Sequence, residues 1–148
     1  MFEKLTYSGT ECNSYLYFAF DAEYFDTDTV TNELKIEPTA TRVKNDPVPK
    51  TTSWKYRLEP ENDFDLETPL ERMLDIFESK IAIINQLKEK FNLTTRLQFV
   101  IDINPEASTP YFGFNNRTID FLSKTGTTVD FDLYKADTIG LLDGMKER

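Results

Sequence analysis

The sequence predicts a two-layer α+β fold, in which a mixed or antiparallel sheet of five or six strands packs against three helices, the central one long. Two observations lead to this prediction. Several segments alternate apolar and polar residues with the period of two that is typical of a half-buried strand. Between them lies a long segment whose apolar residues recur every three or four positions, as on the buried face of a helix. Strands interleaved with amphipathic helices are typical of two layers packed around one core.

The predicted strands differ in how their side chains alternate. Residues 53–59 alternate apolar with charged side chains, which indicates one buried and one exposed face. Residues 14–20 have no polar face, so this strand is either covered on both sides or carries an exposed patch formed by Tyr15 and Tyr17. In the last strand, Leu133 is predicted to point into the core with its apolar neighbours. The predicted strands are 14–20, 41–44, 53–59, 96–103, 111–114 and 128–134.

The three predicted helices have recognisable ends. Asp26 is a suitable N-cap for the first helix, and Gly126 suits the C-terminal end of the third. In the central helix, Thr68 followed by Glu71 has the spacing of a capping box, with Pro69 at the first helical position. Its apolar stripe is predicted to form the core. The predicted helices are 26–35, 68–91 and 115–125.

Length and composition indicate one ordinary folded domain. The chain has 148 residues, of which 39% are hydrophobic and 29% charged, and we expect one domain over 1–136 followed by a tail over 137–148. No apolar run is long enough to cross a membrane, and no apolar signal segment is visible near the start. The only cysteine, Cys12, fits a reducing compartment, so we expect a cytoplasmic protein. The sequence leaves the oligomeric state open.

The missing residue types exclude several chemistries. The chain has no histidine, which excludes Ser-His-Asp and Cys-His catalysis and imidazole-based metal sites. With only five glycines it also has no phosphate-binding glycine-rich loop motif. Asp102, Asp130 and Asp132 could share a sheet face and hold Mg²⁺ or Ca²⁺, but the spacing of a metal-binding loop is absent. A solvated sheet face with cross-strand pairs to Lys55 or Arg57 explains the same residues. We therefore expect no catalytic residues, no metal site, no cofactor and no enzymatic activity.

Charge is distributed unevenly along the chain. The net charge is −9, which disfavours nucleic acid and anionic membranes as partners. Residues 42–57 nevertheless carry five basic side chains and one acidic side chain, whereas residues 59–78 carry eight acidic and one basic. This change of sign favours a role in binding charged partners over catalysis.

Two binding hypotheses follow from these segments. The first is a non-enzymatic protein-interaction module whose acidic segment contacts a basic protein and would neutralise it, as immunity proteins do. This hypothesis rests on the general behaviour of small acidic proteins. Its candidate contact residues are Glu59, Glu61, Asp63, Asp65 and Glu67. The alternative is a protein that binds a small anionic ligand. Its candidate residues are Arg42, Lys44, Lys50, Lys55 and Arg57.

The order of these segments resembles an uncharacterised bacterial family, the domain of unknown function 4279. The resemblance extends over roughly residues 14–134 and depends on order and spacing. It is carried by the aromatic first strand, the helix end at Leu34, Ile36, Pro38 and Thr39, the strand starting Ser53–Trp54, the long central helix and the closing strand Val129–Tyr134. The resemblance implies a bacterial, single-domain α+β protein and assigns no functional residue.

Overall fold

The computed structural model describes residues 13–61, 65–103, 106 and 110–135, and confirms the α+β class. The central helix consists of α2 and α3, which a 3₁₀ turn over Glu78–Lys80 joins end to end. Counting the central helix as one, the described part of the chain contains three helices and a five-stranded sheet. In order they are β1 Tyr15–Ala22, α1 Thr27–Leu34, β2 Ala40–Arg42, β3 Thr52–Leu58, α2 Glu67–Phe77, α3 Ile81–Phe91, β4 Thr94–Ile103, α4 Asn116–Thr125 and β5 Thr128–Lys135.

The sheet is mixed, with the strand order β2-β3-β1-β4-β5. Neighbouring strands are antiparallel except β4 and β5, which are parallel. Parallel neighbours need a crossover connection, and here α4 lies within it. The register places Phe18 of β1 beside Tyr56 of β3 and Leu97 of β4. These three side chains face the core. Along each strand, successive side chains point alternately to the core and to the opposite face of the sheet, which we call the outer face.

The core lies between the sheet and the central helix and is rich in aromatic rings. The Phe77 ring of α2 is fully buried, and its centroid lies 4.8 Å from that of Phe18 and 5.6 Å from that of Tyr56. Trp54 is also fully buried, and its indole N–H donates a hydrogen bond of 3.0 Å to the Thr31 hydroxyl of α1. This bond satisfies the one polar group of the indole, so burial of Trp54 carries no unpaired donor. The predicted apolar stripe does face the core.

Three details of the predicted elements are wrong. The first turn of α2 is capped by the Asp65 carboxylate, which accepts hydrogen bonds from the Thr68 amide at 3.2 Å and hydroxyl at 2.7 Å. Thr68 therefore donates the capping hydrogen bonds and is not the N-cap residue. Residues 111–114 form no strand, and Tyr111 makes only an isolated bridge with Asp65. Leu133 points to the core side of the sheet, as predicted, but is 62% exposed instead of buried, because β5 is an edge strand.

Replacing Asp65 with alanine should lower the free energy of unfolding by about 1 kcal/mol, as expected for the loss of an N-cap. Hydrogen bonds from Thr68 lower the pKa of Asp65, so the unfolded chain binds this proton more readily than the folded protein. The stabilisation is therefore present at neutral pH and is lost as the pH falls through the lowered pKa. Urea unfolding at pH 7 and at pH 2.5 tests this. The loss of unfolding free energy in the variant should be smaller at pH 2.5 than at pH 7. An equal loss at both pH values would contradict the role of the Asp65 carboxylate.

Some predictions concern residues outside the described part of the chain: Cys12, Asp63 and the tail over 137–148. Within the described part, none of the helices has both the length and the apolar character needed to span a membrane.

Candidate anion-binding face

The outer face of the sheet brings together side chains from four strands. Arg57 on β3 and Tyr17 on β1 are register partners, so basic residues of β3 lie beside tyrosines of β1. Arg42 on β2 is the register partner of Ser53, on the other side of β3 from β1. Arg96 on β4 lies across β1 from Lys55, because both are register partners of Ala19. We call this set the cation–tyrosine face. It comprises Arg42, Lys55, Arg57, Arg96, Tyr15 and Tyr17.

The two tyrosines hold three of these cations against their rings. The Arg57 guanidinium carbon lies 3.6 Å from the centroid of the Tyr15 ring. The Lys55 ammonium lies 4.7 Å above the Tyr17 ring, and the Arg96 guanidinium carbon lies 5.5 Å from that ring's centroid. Cation–π contacts at these distances attract and orient the cations without neutralising their charge. The positive charges therefore remain available to an anion.

Arg96 is the cation of this face that is most strongly paired within the protein. Its guanidinium lies 3.2 Å from the Asp21 carboxylate and donates a 2.9 Å hydrogen bond to the Gln98 side-chain oxygen. Asp21 also accepts a 2.8 Å hydrogen bond from the Ser53 hydroxyl. Burial raises the pKa of Tyr17, partly countered by Arg96, so the phenol keeps its proton. This network fixes the face on the β1–β4 side.

Lys55 differs from its neighbours because no residue in the described segments gives its ammonium a hydrogen bond or an ion pair. Its side chain is half-buried. Burial lowers the pKa of Lys55, and the positive charges of Arg42 and Arg96 lower it further, while Asp21 opposes them. The ammonium thus lies near two other cations, and none of the residues that the structure describes forms an ion pair with it.

Three of the five predicted anion-binding residues lie on this face, and two do not. Arg42 is held by Thr51, whose hydroxyl accepts a 2.9 Å hydrogen bond from the guanidinium. Lys44 forms an ion pair with Glu23 beyond the end of β2, so its charge is already neutralised. Lys50 is exposed in the loop between β2 and β3. Residues 42–57 therefore do not act as one basic patch.

The predicted acidic contact residues are spread over several environments. Glu59 forms a 3.0 Å ion pair with Arg57 at the margin of the cation–tyrosine face. Asp65 caps α2, as described above. Glu61 and Glu67 are exposed, and no ion-pair or hydrogen-bond partner is present for either side chain in the described residues. Internal contacts thus occupy some of the predicted acidic residues and leave others at the surface.

The three aspartates considered for a metal also lie on the outer face, but on β4 and β5, towards the other edge of the sheet. Asp130 and Asp132 on β5 are register partners of Gln98 and Val100 on β4, and Asp102 accepts a 3.0 Å hydrogen bond from the Asn13 side chain. Pairing with Lys55 or Arg57 is not possible for the β5 aspartates because β1 and β4 lie between the strands. In the segments that the structure describes, no group of three or more metal-ligating side chains comes together.

Sequence reasoning missed Arg96, although the signal was present. The alternation that places Leu97 and Phe99 in the core places Arg96 and Gln98 on the outer face. The alternation does not show which residue on another strand pairs with Arg96. Arg96 and Asp21 are 75 positions apart, so only the strand order brings them together.

Comparison with known proteins identifies the family. The family model described as "Domain of unknown function (DUF4279)" matches residues 10–136, which is most of the chain. The chain belongs to this family. The resemblance inferred from the order of segments is thereby confirmed, and the DUF4279 match covers all five strands of the sheet. No curated protein and no solved structure matches this DUF4279 chain.

Proposed function

We propose that this DUF4279 protein is a non-enzymatic binding protein that holds a small anion bearing phosphate or carboxylate groups on its cation–tyrosine face. The observation that carries the proposal is the Lys55 ammonium, which lies between Arg42 and Arg96 without a counter-ion among the described residues. An anion placed there would supply the missing acceptor and relieve the repulsion between the cations.

The remaining groups of the face favour the same ligand class. Among the described residues, two carboxylates form ion pairs with the four cations of this face, those of Asp21 and Glu59. Arg57 retains donors for an anion because its side chain is 44% exposed and, within the described segments, its Nε alone is paired, with Glu59. Guanidinium groups suit carboxylate and phosphate oxygens because their donors form a fixed planar fork. A sheet face also holds its side chains on a rigid support, which lowers the entropic cost of binding.

The same proposal includes two further points: the protein does not catalyse a reaction, and it is located in the cytoplasm. The absence of histidine from the chain leaves few side chains that titrate near neutral pH, which supports binding over acid–base catalysis. A chain with a single cysteine supports a reducing compartment, so we propose the bacterial cytoplasm.

Lys55→Met should abolish or strongly weaken binding of inorganic phosphate, since it removes the unpaired charge while keeping the aliphatic length. NMR titration of the full chain with sodium phosphate measures this, with Lys50→Met as the matched control. Lys50 comes from the same basic segment but lies in an exposed loop away from the face. The control variant should bind like the wild type. Equal weakening by both variants, or shifts that avoid β1, β3 and β4, would refute the proposed site.

The basic protein partner remains a second candidate, favoured by one observation. Glu61, Glu67 and Glu71 are exposed, and the described part of the chain offers none of them an ion-pair partner. Exposed acidic side chains in α2 and just before it would speed the encounter with a basic protein, which this chain would neutralise. This surface is separate from the cation–tyrosine face, so the two candidates can be tested independently.

A further inference from the structure

The outer edge of β5 is a second surface with the features of a binding site. β5 ends the sheet, and no strand in the described residues lies on the side of it that faces away from β4. Along a parallel strand only part of the backbone N–H and C=O groups bonds to the one neighbour, so the others point to the free edge. At eight residues, Thr128–Lys135 is long for an unprotected edge.

The two sides of β5 have different chemistry. On the core side, Phe131 is 43% exposed and Leu133 is 62% exposed. The Phe131 ring is held in place by stacking on Phe99 and Phe112, with centroid distances of 5.2 Å and 5.5 Å. On the outer side, Asp130 and Asp132 are both exposed. An added strand would therefore meet apolar side chains on one side and carboxylates on the other.

We infer that β5 accepts an extended segment of a basic protein, in which lysine or arginine alternates with apolar residues, as an added strand. Backbone hydrogen bonds along the free edge would provide affinity, and the alternation would provide specificity. The basic residues would lie beside Asp130 and Asp132, and the apolar residues beside Phe131 and Leu133.

Charge selects this partner over a second copy of the chain. Antiparallel pairing of β5 with itself would bring the aspartates of two chains onto the same side of one sheet, where like charges destabilise the pair. The net charge of −9 also opposes self-association and favours a basic partner. This inference places the basic partner on β5 instead of on the acidic side of α2, so the two surfaces are alternatives, and it does not depend on the anion site.

The test uses a synthetic peptide as long as β5, with lysine and valine alternating over eight residues. A peptide of the same composition, with its lysines and valines in separate blocks, is the control. NMR shifts and slowed amide exchange confined to β5 are expected with the alternating peptide only. N-methylation of alternate peptide amides should remove binding, because it blocks edge pairing.

Charge reversal separates β5 from the acidic residues of α2. Asp130→Lys with Asp132→Lys should weaken binding of the lysine–valine peptide about tenfold, and should favour a peptide that carries glutamate in place of lysine. Glu67→Lys with Glu71→Lys changes the net charge equally and should leave peptide binding nearly unchanged. The inference is overturned if the α2 variant is the weaker binder. It is also overturned if the blocked peptide binds equally well, or if the free protein already protects all β5 amides from exchange.

Discussion

Replacing Phe77 with alanine should lower the free energy of unfolding by about 3–5 kcal/mol, the range expected when a buried aromatic ring is removed from a core. The ring is fully buried and lies against Phe18, Trp54 and Tyr56, so the cavity would open at the contact between sheet and helix. Both layers are fixed around this contact and cannot easily close on the empty space. Urea denaturation monitored by circular dichroism gives the measurement.

Ile119→Ala is the matched control for Phe77→Ala. Ile119 lies on α4 with 51% of its surface exposed, so its truncation should change the free energy of unfolding by less than about 0.5–1 kcal/mol. Equal effects of the two substitutions would mean that Phe77 does not occupy the core.

Asp21→Asn should lower the stability of the protein and at the same time strengthen its binding of phosphate. The Asp21 carboxylate is 17% exposed and pairs with Arg96 and with the Ser53 hydroxyl. Removing its charge leaves the Arg96 guanidinium without a counter-ion, at a cost of about 1–3 kcal/mol. The same change makes the cation–tyrosine face more positive, so an anion should bind more tightly. Denaturation and phosphate titration on one sample measure the two effects.

Glu89→Gln controls for net charge in the Asp21→Asn experiment. Glu89 is exposed on α3 and has no ion-pair partner in the described residues. It should change neither stability nor phosphate affinity appreciably. Weaker phosphate binding by Asp21→Asn than by wild type would contradict the placement of the anion on this face.

Local patterns were sufficient to predict most elements. Alternation along one strand and apolar spacing along one helix are properties of neighbouring residues, so β3, β4 and the stripe that contains Phe77 could be found from the sequence. The start of α2 could not be settled in this way. Asp65 and Thr68 are both good N-cap residues, three positions apart, and only the folded backbone shows which one accepts the hydrogen bonds.

The candidate site was less predictable because it depends on the order of strands. The sequence placed Lys44 and Lys50 with Lys55, since they are close along the chain. The fold instead places Lys55 near Arg96, because β1 pairs with both β3 and β4. Similarly, the exposure of Leu133 follows from the position of β5 at the edge, which its own alternation does not reveal.

The pKa of Lys55 with and without phosphate tests the proposed site most directly. It can be followed through the side-chain carbon and nitrogen resonances of Lys55 during a pH titration, with sodium chloride at equal ionic strength as the reference. Burial and the charges of Arg42 and Arg96 lower this pKa in the free protein. An anion bound at the ammonium stabilises its charged form, so saturating phosphate should raise the pKa. An unchanged pKa under saturating phosphate would contradict the site.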